Sequence, residues 1–509
     1  MGMHSRVMRR TGEEGTEPAK EPAMEPLIQE KKTMPEPTGI PADEDLENGL
    51  QHKESSPWKD VPLEDWRDWH WQMRNRVSTV DELAEILPLS DKEKDVIQRG
   101  LELFKFAVPP YYASLMDPDD PDCPIRRQAV PGVEELVWRE FDIEDPLNEE
   151  GDSVAPGMTH RYPDRVLWVV MHECGMFCRH CTRKRKVGEP LPSITDHQMD
   201  EGLAYLRAHP EVRDVVLSGG DPLLLSDGRL DEILTRIRKE APHVAMIRIG
   251  SRLPVTLPQR ITPELVEILR EHHPLYVNVH FNVPKEFTVE SRLALARMAD
   301  AGIPLGNQSV LLAGVNDCWA LMRGLMHELT ANRVRPYYIY QCDLAQGLEH
   351  FRTPVSKGIE IMEHLRGHIS GLAVPTFVVD APGGGGKIPV MPNYMVSQHE
   401  NKMILRNFEG RIVAYEEPQE YTGMCMEDQP CRYCRQAMRD EPAQRGVAGL
   451  FDNNPENIAL IPREMEKVKK GAREEEPEAQ EVPLVTLGAS EPVEQADPAV
   501  EEKPVAPIP

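Results

Sequence analysis

The chain has 509 residues, 40% of them hydrophobic, and a formal charge of −27. That length suits two to four domains, or an α/β barrel occupying half the chain, and so acidic a surface is not expected to bind nucleic acid or an anionic membrane. No run of 18 apolar residues occurs and no apolar stretch follows the opening MGMHSRVMRR, so neither a membrane span nor a secretory signal is expected.

Residues 1–55 are polar and proline-punctuated, with 12 acidic against 7 basic residues, and residues 471–509 hold 10 against 2. Such segments bury too little apolar surface to fold, and disorder is expected over 1–55 and most of 461–509. Order should begin near Trp58, where Trp58, Trp66, Trp69 and Trp71 crowd into 14 residues, a density suited to a helix packed against something large. Helices are expected across 56–160, with start signals at Ser78 and Ser90.

From residue 165 a regular alternation sets in. Short β-rich runs occur at Val166–Met171, Asp214–Ser218, Ala245–Ile249, Tyr276–Phe281, Leu305–Leu311, Val334–Tyr340 and Val374–Asp380. Helical stretches near 196–208, 229–240, 263–271, 289–301, 317–331 and 355–367 separate them. Alternating strand and helix implies parallel strands with crossover helices. The expected fold class is therefore α/β, a partial (β/α)6-type TIM barrel over 161–390. The polar candidates fall at the C-terminal ends of its strands, where barrel enzymes keep their sites.

Immediately after the first of these strands comes VVMHECGMFCRHCTRKRKVG, with Cys174, Cys178 and Cys181 in a CxxxCxxC spacing. Three thiolates would bind three irons of a [4Fe–4S] cluster and leave the fourth open. A zinc site or a reactive cysteine group is the competing reading, although zinc favours paired CxxC units with two further ligands. The chain has nine cysteines, six of them in two tight groups. That usage suits metal binding in a reducing cytoplasm better than disulfides.

The cysteine loop resembles that of the radical S-adenosylmethionine superfamily, in which the open iron holds the cofactor's amino and carboxylate groups. The next strand ends in LSGGDPLL. Its Gly219 and Gly220 allow close backbone approach, and Ser218 and Asp221 offer polar groups for the methionine moiety. An ordinary βα turn would look much the same.

Further on, VVDAPGGGGK presents Lys387 on a glycine-rich loop after the last strand. A lysine there suits a Schiff base with pyridoxal phosphate, while a phosphate cradle or a surface hinge are the blander readings. HRYPDR offers Arg161, Tyr162 and Arg165 for the phosphate; a solvated basic turn is its alternative. IRIGSRLPVTLPQRIT, VRPYYIYQCDLAQGLEHFRTPVSKGIEI and VPTFVVDAPGGGGKIPVMPNY, together with HRYPDRVL, resemble the lysine 2,3-aminomutase family over roughly 58–450.

The resemblance implies that Lys387 carries pyridoxal phosphate, with Arg161, Tyr162 and Arg165 holding it. His280 and Gln308 are further cofactor-side contacts, although polar core roles suit them equally. It also implies that Arg183 pairs with the substrate carboxylate and that Asp343 and Asp380 grip a lysine ε-ammonium. A glutamate substrate would be repelled by those two acids, whereas arginine fits them too. The expected reaction exchanges L-lysine and L-β-lysine through a 5′-deoxyadenosyl radical, fed by a low-potential electron donor. A close relative acting on a protein lysyl residue is the runner-up, and a non-catalytic metal-stabilised binding protein is the reading from another class.

The resemblance finally implies a C-terminal zinc-binding extension over 391–460. There Cys425, Cys431 and Cys434 would join Cys318 around Zn2+ and tie subunits into a homo-oligomer, a tetramer. The gap between Cys425 and Cys431 is longer than the family's pattern, and a second redox cluster or free thiols is the alternative. In Phe281-Asn282-Val283-Pro284 the family has a histidine where this chain has Val283. Cys123 and Cys342 carry no motif and are expected to be buried and free.

Overall fold

The structure is a computed structural model that describes residues 49–140, 142–187, 193–399, 402–418 and 435. Residues 1–48 and most of 419–509, including Cys425, Cys431 and Cys434, lie outside the described residues.

Helices fill the first part, and their starts follow local chemistry. Ser90 caps helix Asp91–Leu103 in a capping box with Glu93, and Thr79, rather than Ser78, caps Val80–Ala84 with Glu82. The tryptophan-rich stretch forms helices Leu63–Arg67 and Trp69–Arg74, and Trp66 is fully buried. Helix Gln51–Glu54 precedes Trp58, with Lys53 already buried.

The expected helical region does not run unbroken to residue 160. It ends in irregular chain and a hairpin of β1 (Ser153–Ala155) and β2 (Met158–Tyr162). Next come seven parallel strands: β3 (Arg165–Met171), β4 (Asp214–Gly219), β5 (Met246–Gly250), β6 (Leu275–Val279), β7 (Leu305–Leu311), β8 (Val334–Gln341) and β9 (Thr376–Ala381). Antiparallel β10 (Gly386–Pro389) completes a 10-stranded sheet whose order is that of the chain.

Crossover helices Asp196–Ala208, Asp227–Glu240, Pro263–Glu271, Val289–Asp300, Trp319–Ala331 and Val355–Leu365 join the parallel strands. Because the order never reverses, right-handed crossovers place every helix on one face of the sheet. A doubly wound sheet is thereby excluded. Strand β3 alternates buried Val166, Trp168 and Val170 with half-buried residues that face the other way.

The two ends of the sheet approach one another. Lys387 on β10 donates its backbone N–H to Tyr162 Oη on β2 at 2.9 Å, and Gly383 N donates to Pro146 O at 3.1 Å. Beyond the sheet, β11 (Met395–His399), β12 (Lys402–Arg406) and β13 (Ile412–Glu416) form a separate antiparallel sheet. Among the described residues no helix is long and apolar enough to cross a membrane.

Candidate active site

The end of β4 is pressed against the chain that follows β3. Gly220 N donates to Met171 O and Asp221 N to Glu173 O, both at 2.7 Å. A Cβ on Gly219 would collide with the Met171 carbonyl, and one on Gly220 with that of Glu173; Gly219 also sits at φ +140°. The glycine pair is thus required by contact between two strand ends, independently of any ligand.

Asp221 is buried and already engaged. Its carboxylate accepts from Ser251 Oγ at 3.0 Å and from the N–H groups of Arg252, Leu253 and Leu223 at 2.8, 3.2 and 3.2 Å. Burial pushes its pKa up to about 6 against the pull of those donors. In this arrangement Asp221 organises the turn after β5.

These strand ends open into a cavity of about 620 Å3. Cys174, Cys178, Cys181 and Arg183 line it from the loop after β3, and Ser218, Gly219, Gly220 and Asp221 from the end of β4. His280, Gln308, Asp343 and Asp380 line it from later strands and the loops after them, Arg161 and Tyr162 from β2, Arg165 from the start of β3 and Lys387 from β10. Every sequence-predicted site residue outside the zinc group therefore borders one cavity. Cys318 is exposed at the start of helix Trp319–Ala331. Val283 is buried in the apolar core.

At one side of the cavity Lys387 Nζ lies 3.1 Å from Asp380 Oδ1 and 5.3 Å from the centre of the Tyr340 ring. Burial, then the neighbouring Asp380, push Asp343 up to about 7, with Lys387 pulling the other way. Gln308 Nε2 donates to Tyr340 Oη at 3.0 Å. Arg161 pairs with Asp152, and Arg165 pairs with Asp164 at 3.0 Å while its guanidinium lies over the Tyr162 ring at 4.6 Å.

Elsewhere in the cavity Arg183 is half-buried. Its Nε donates to both Glu149 oxygens at 3.0 and 2.9 Å, its Nη2 also meets Glu149, and its Nη1 donates to Ser218 Oγ at 3.1 Å. Burial alone would lower the Arg183 pKa, but the Glu149 carboxylate overcomes it and the shift is upward. Glu149 is held below its usual range by the same pairing, against the opposing effect of its own burial.

Sequence reasoning missed Glu149, which carries no motif. It also left unassigned Arg252, although this residue stands in the quoted IGSRLP stretch, and His180, which lies between Cys178 and Cys181.

The residues fit the groups the motifs imply. Three thiols on one loop are the donor set of an iron–sulfur cluster, and Arg252 Nη1 donates to Cys178 Sγ at 2.8 Å, as a thiolate would accept. Burial pushes the Cys181 thiol up to about 11, a cost that a bound cation would reverse. Among the described residues no group of three or more His, Cys, Asp or Glu is already gathered in ligand geometry. His280 Nε2 is buried without a hydrogen-bond partner, and burial with nearby Arg252 lowers its pKa to about 3. A neutral imidazole with an unsatisfied nitrogen bordering a cavity suits a polar ligand there.

A family model described as Lysine-2,3-aminomutase matches residues 362–484, and one described as Radical SAM superfamily matches residues 168–322. The chain is 55% identical to an L-lysine 2,3-aminomutase of Acetoanaerobium sticklandii, over 81% of this chain and 97% of the relative. It is 54% identical to the L-lysine 2,3-aminomutase of Clostridium subterminale, over 82% and 98%. A glutamate 2,3-aminomutase of Clostridioides difficile is 45% identical over 70% and 83%. With matches of this length and identity, the chain belongs to the lysine 2,3-aminomutase family of radical S-adenosylmethionine enzymes.

Proposed function

We propose that this protein interconverts L-lysine and L-β-lysine. The observation that carries this reading is the pair of acids, Asp343 and Asp380, set beside Lys387 in the cavity that Arg183 also borders. A substrate with an ammonium at one end and a carboxylate at the other matches that polarity. The same two acids disfavour glutamate by repulsion.

Membership of the family brings a [4Fe–4S] cluster and S-adenosylmethionine, for which Cys174, Cys178 and Cys181 and the Ser218–Asp221 turn are the residues we assign. Pyridoxal phosphate would be held by Lys387, Arg161, Tyr162 and Arg165, with His280 and Gln308 beside it. When bound, these groups supply a carbon radical that abstracts hydrogen and an imine that carries the migrating nitrogen.

The chain's own residues bind and orient. Asp380 and Asp343 fix the ε-ammonium, and Arg183 fixes the carboxylate, so the reacting carbons between them are held in one place. Engaging the Lys387 amine removes the cation from Asp380, and the substrate's ammonium restores it. The enclosing strands, in our reading a partial (β/α)6-type barrel, keep water from the reacting atoms.

We further propose a homo-oligomer in the cytoplasm, with Cys318, Cys425, Cys431 and Cys434 around zinc. Metal analysis of the purified chain tests the zinc assignment: one zinc per subunit supports it, and none removes it. Anaerobic incubation with S-adenosylmethionine, pyridoxal phosphate, a reductant and lysine, arginine or glutamate tests the reaction. β-Lysine formation is expected; turnover of another amino acid with none of lysine would sink the proposal.

A further inference from the structure

Arg252, on the turn after β5, is buried and held from several sides. Its Nη2 donates to Glu286 Oε1 at 2.9 Å and to Gln128 Oε1 at 2.5 Å, and its backbone N–H donates to Asp221 at 2.8 Å. Glu286 is fully buried and is fixed in turn by Tyr112 Oη at 2.8 Å and Asn282 N at 2.6 Å. Within this network Nη1 is the donor that meets Cys178 Sγ, at 2.8 Å. So rigid a setting is unusual for an arginine, whose side chain normally keeps its head in water.

We infer that Arg252 sets the reduction potential of the cluster through Cys178, with Glu286 as its buried counter-charge. The inference rests on the reading of Cys178 as a cluster ligand. Reduction adds one electron to the cluster and its sulfurs. A cationic donor on a ligating sulfur stabilises the reduced form more than the oxidised one, and so raises the potential. Glu286 neutralises part of that charge in a low-dielectric setting, where charges act over longer range. Arg252 and Glu286 therefore pull the potential in opposite directions. A purely structural network would have no reason to respond with opposite signs.

The test is a redox titration of the reconstituted full-length protein, followed by electron paramagnetic resonance without S-adenosylmethionine, pyridoxal phosphate or lysine. Arg252→Gln is expected to lower the midpoint potential and Glu286→Gln to raise it. Arg252→Lys, which keeps the charge but not the fork that reaches sulfur and carboxylate together, is expected to fall between Arg252→Gln and wild type. Iron and sulfide are counted first. A wild-type chain that assembles no [4Fe–4S] cluster removes the underlying reading. An assembled cluster whose potential is unmoved, or moves the same way in the Arg252 and Glu286 variants, overturns this inference alone. If Arg252→Gln assembles no cluster, Arg252→Lys and Glu286→Gln decide the matter by the same signs.

Discussion

Glu149 closes a two-oxygen ion pair onto Arg183, the residue assigned to the substrate carboxylate. With Nη1 on Ser218 and Gly219, the guanidinium has at most one N–H left for a ligand. A bidentate grip on a substrate therefore requires Glu149 to withdraw, and the substrate carboxylate to take over its place. Glu149→Gln weakens the resident pair, an effect of about 1.5 kcal/mol for a charge-assisted hydrogen bond. We expect the KM for lysine to fall about tenfold, as that energy implies. Inhibition by 1,5-diaminopentane, which lacks the carboxylate, should not change. Steady-state kinetics with both compounds check this, and a rise in the lysine KM would mean that Glu149 instead holds Arg183 in its working position.

The pKa of Asp343, pushed up to about 7 by burial and by Asp380, gives lysine binding a pH dependence. The ionised carboxylate is the form that holds an ammonium. Affinity for lysine is expected to weaken as pH falls through 7, approaching tenfold per unit below it. Norleucine, with no ε-ammonium, should show no such fall. The stability effect runs the other way. An acid whose pKa is raised on folding stabilises the fold below the unfolded value of about 3.9; that contribution is lost as pH rises to about 7. Asp343→Asn should thus melt at a higher temperature than wild type above pH 7, and the difference should shrink toward pH 4. Thermal melts across that range measure it.

Much of this arrangement was legible in the chain. Leu305–Leu311 and helix Pro263–Glu271 fall where period and turn residues place them, because apolar periodicity is set by the core each element faces. Strand β2, Met158–Tyr162, was missed because its residues are mostly polar and half-buried, leaving no alternation to read. The sixteen residues singled out by motif or resemblance line one cavity, most of them from the C-terminal ends of the parallel strands and the loops that follow, which is a property of topology. Glu149 is invisible in sequence for the opposite reason: it stands 34 positions from Arg183, with no pattern linking them. The same holds for Arg252, whose partners Gln128 and Glu286 lie 124 and 34 positions away.

Gly219 carries a backbone conformation and a contact that no other residue accommodates. At φ +140° and against the Met171 carbonyl, a methyl group would push β4 away from the cysteine loop. Gly219→Ala is expected to destabilise the protein by on the order of 3 kcal/mol and to lower the iron bound per chain. Calorimetry and iron analysis read the two effects separately. Unchanged melting with full iron would show that the two strand ends do not constrain one another.

Lys387 is expected to be the sole attachment point for pyridoxal phosphate. Reduction with borohydride should leave the pyridoxyl mass on the peptide that contains Lys387. Lys387→Ala should lose that adduct and the associated absorbance, because no other lysine borders the cavity among the described residues. The substitution also strips Asp380 of its nearest cation, 3.1 Å away, leaving two acids close together with less compensating charge. With Lys387 gone, the repulsion from Asp380 that raises the proton affinity of Asp343 is less opposed. In Lys387→Ala the pH at which Asp343 ionises should therefore rise above that of wild type, as followed by carboxyl-stretch infrared titration of isotope-labelled aspartate. A pyridoxyl adduct on any other lysine would separate Lys387 from the first role, and an unmoved titration from the second.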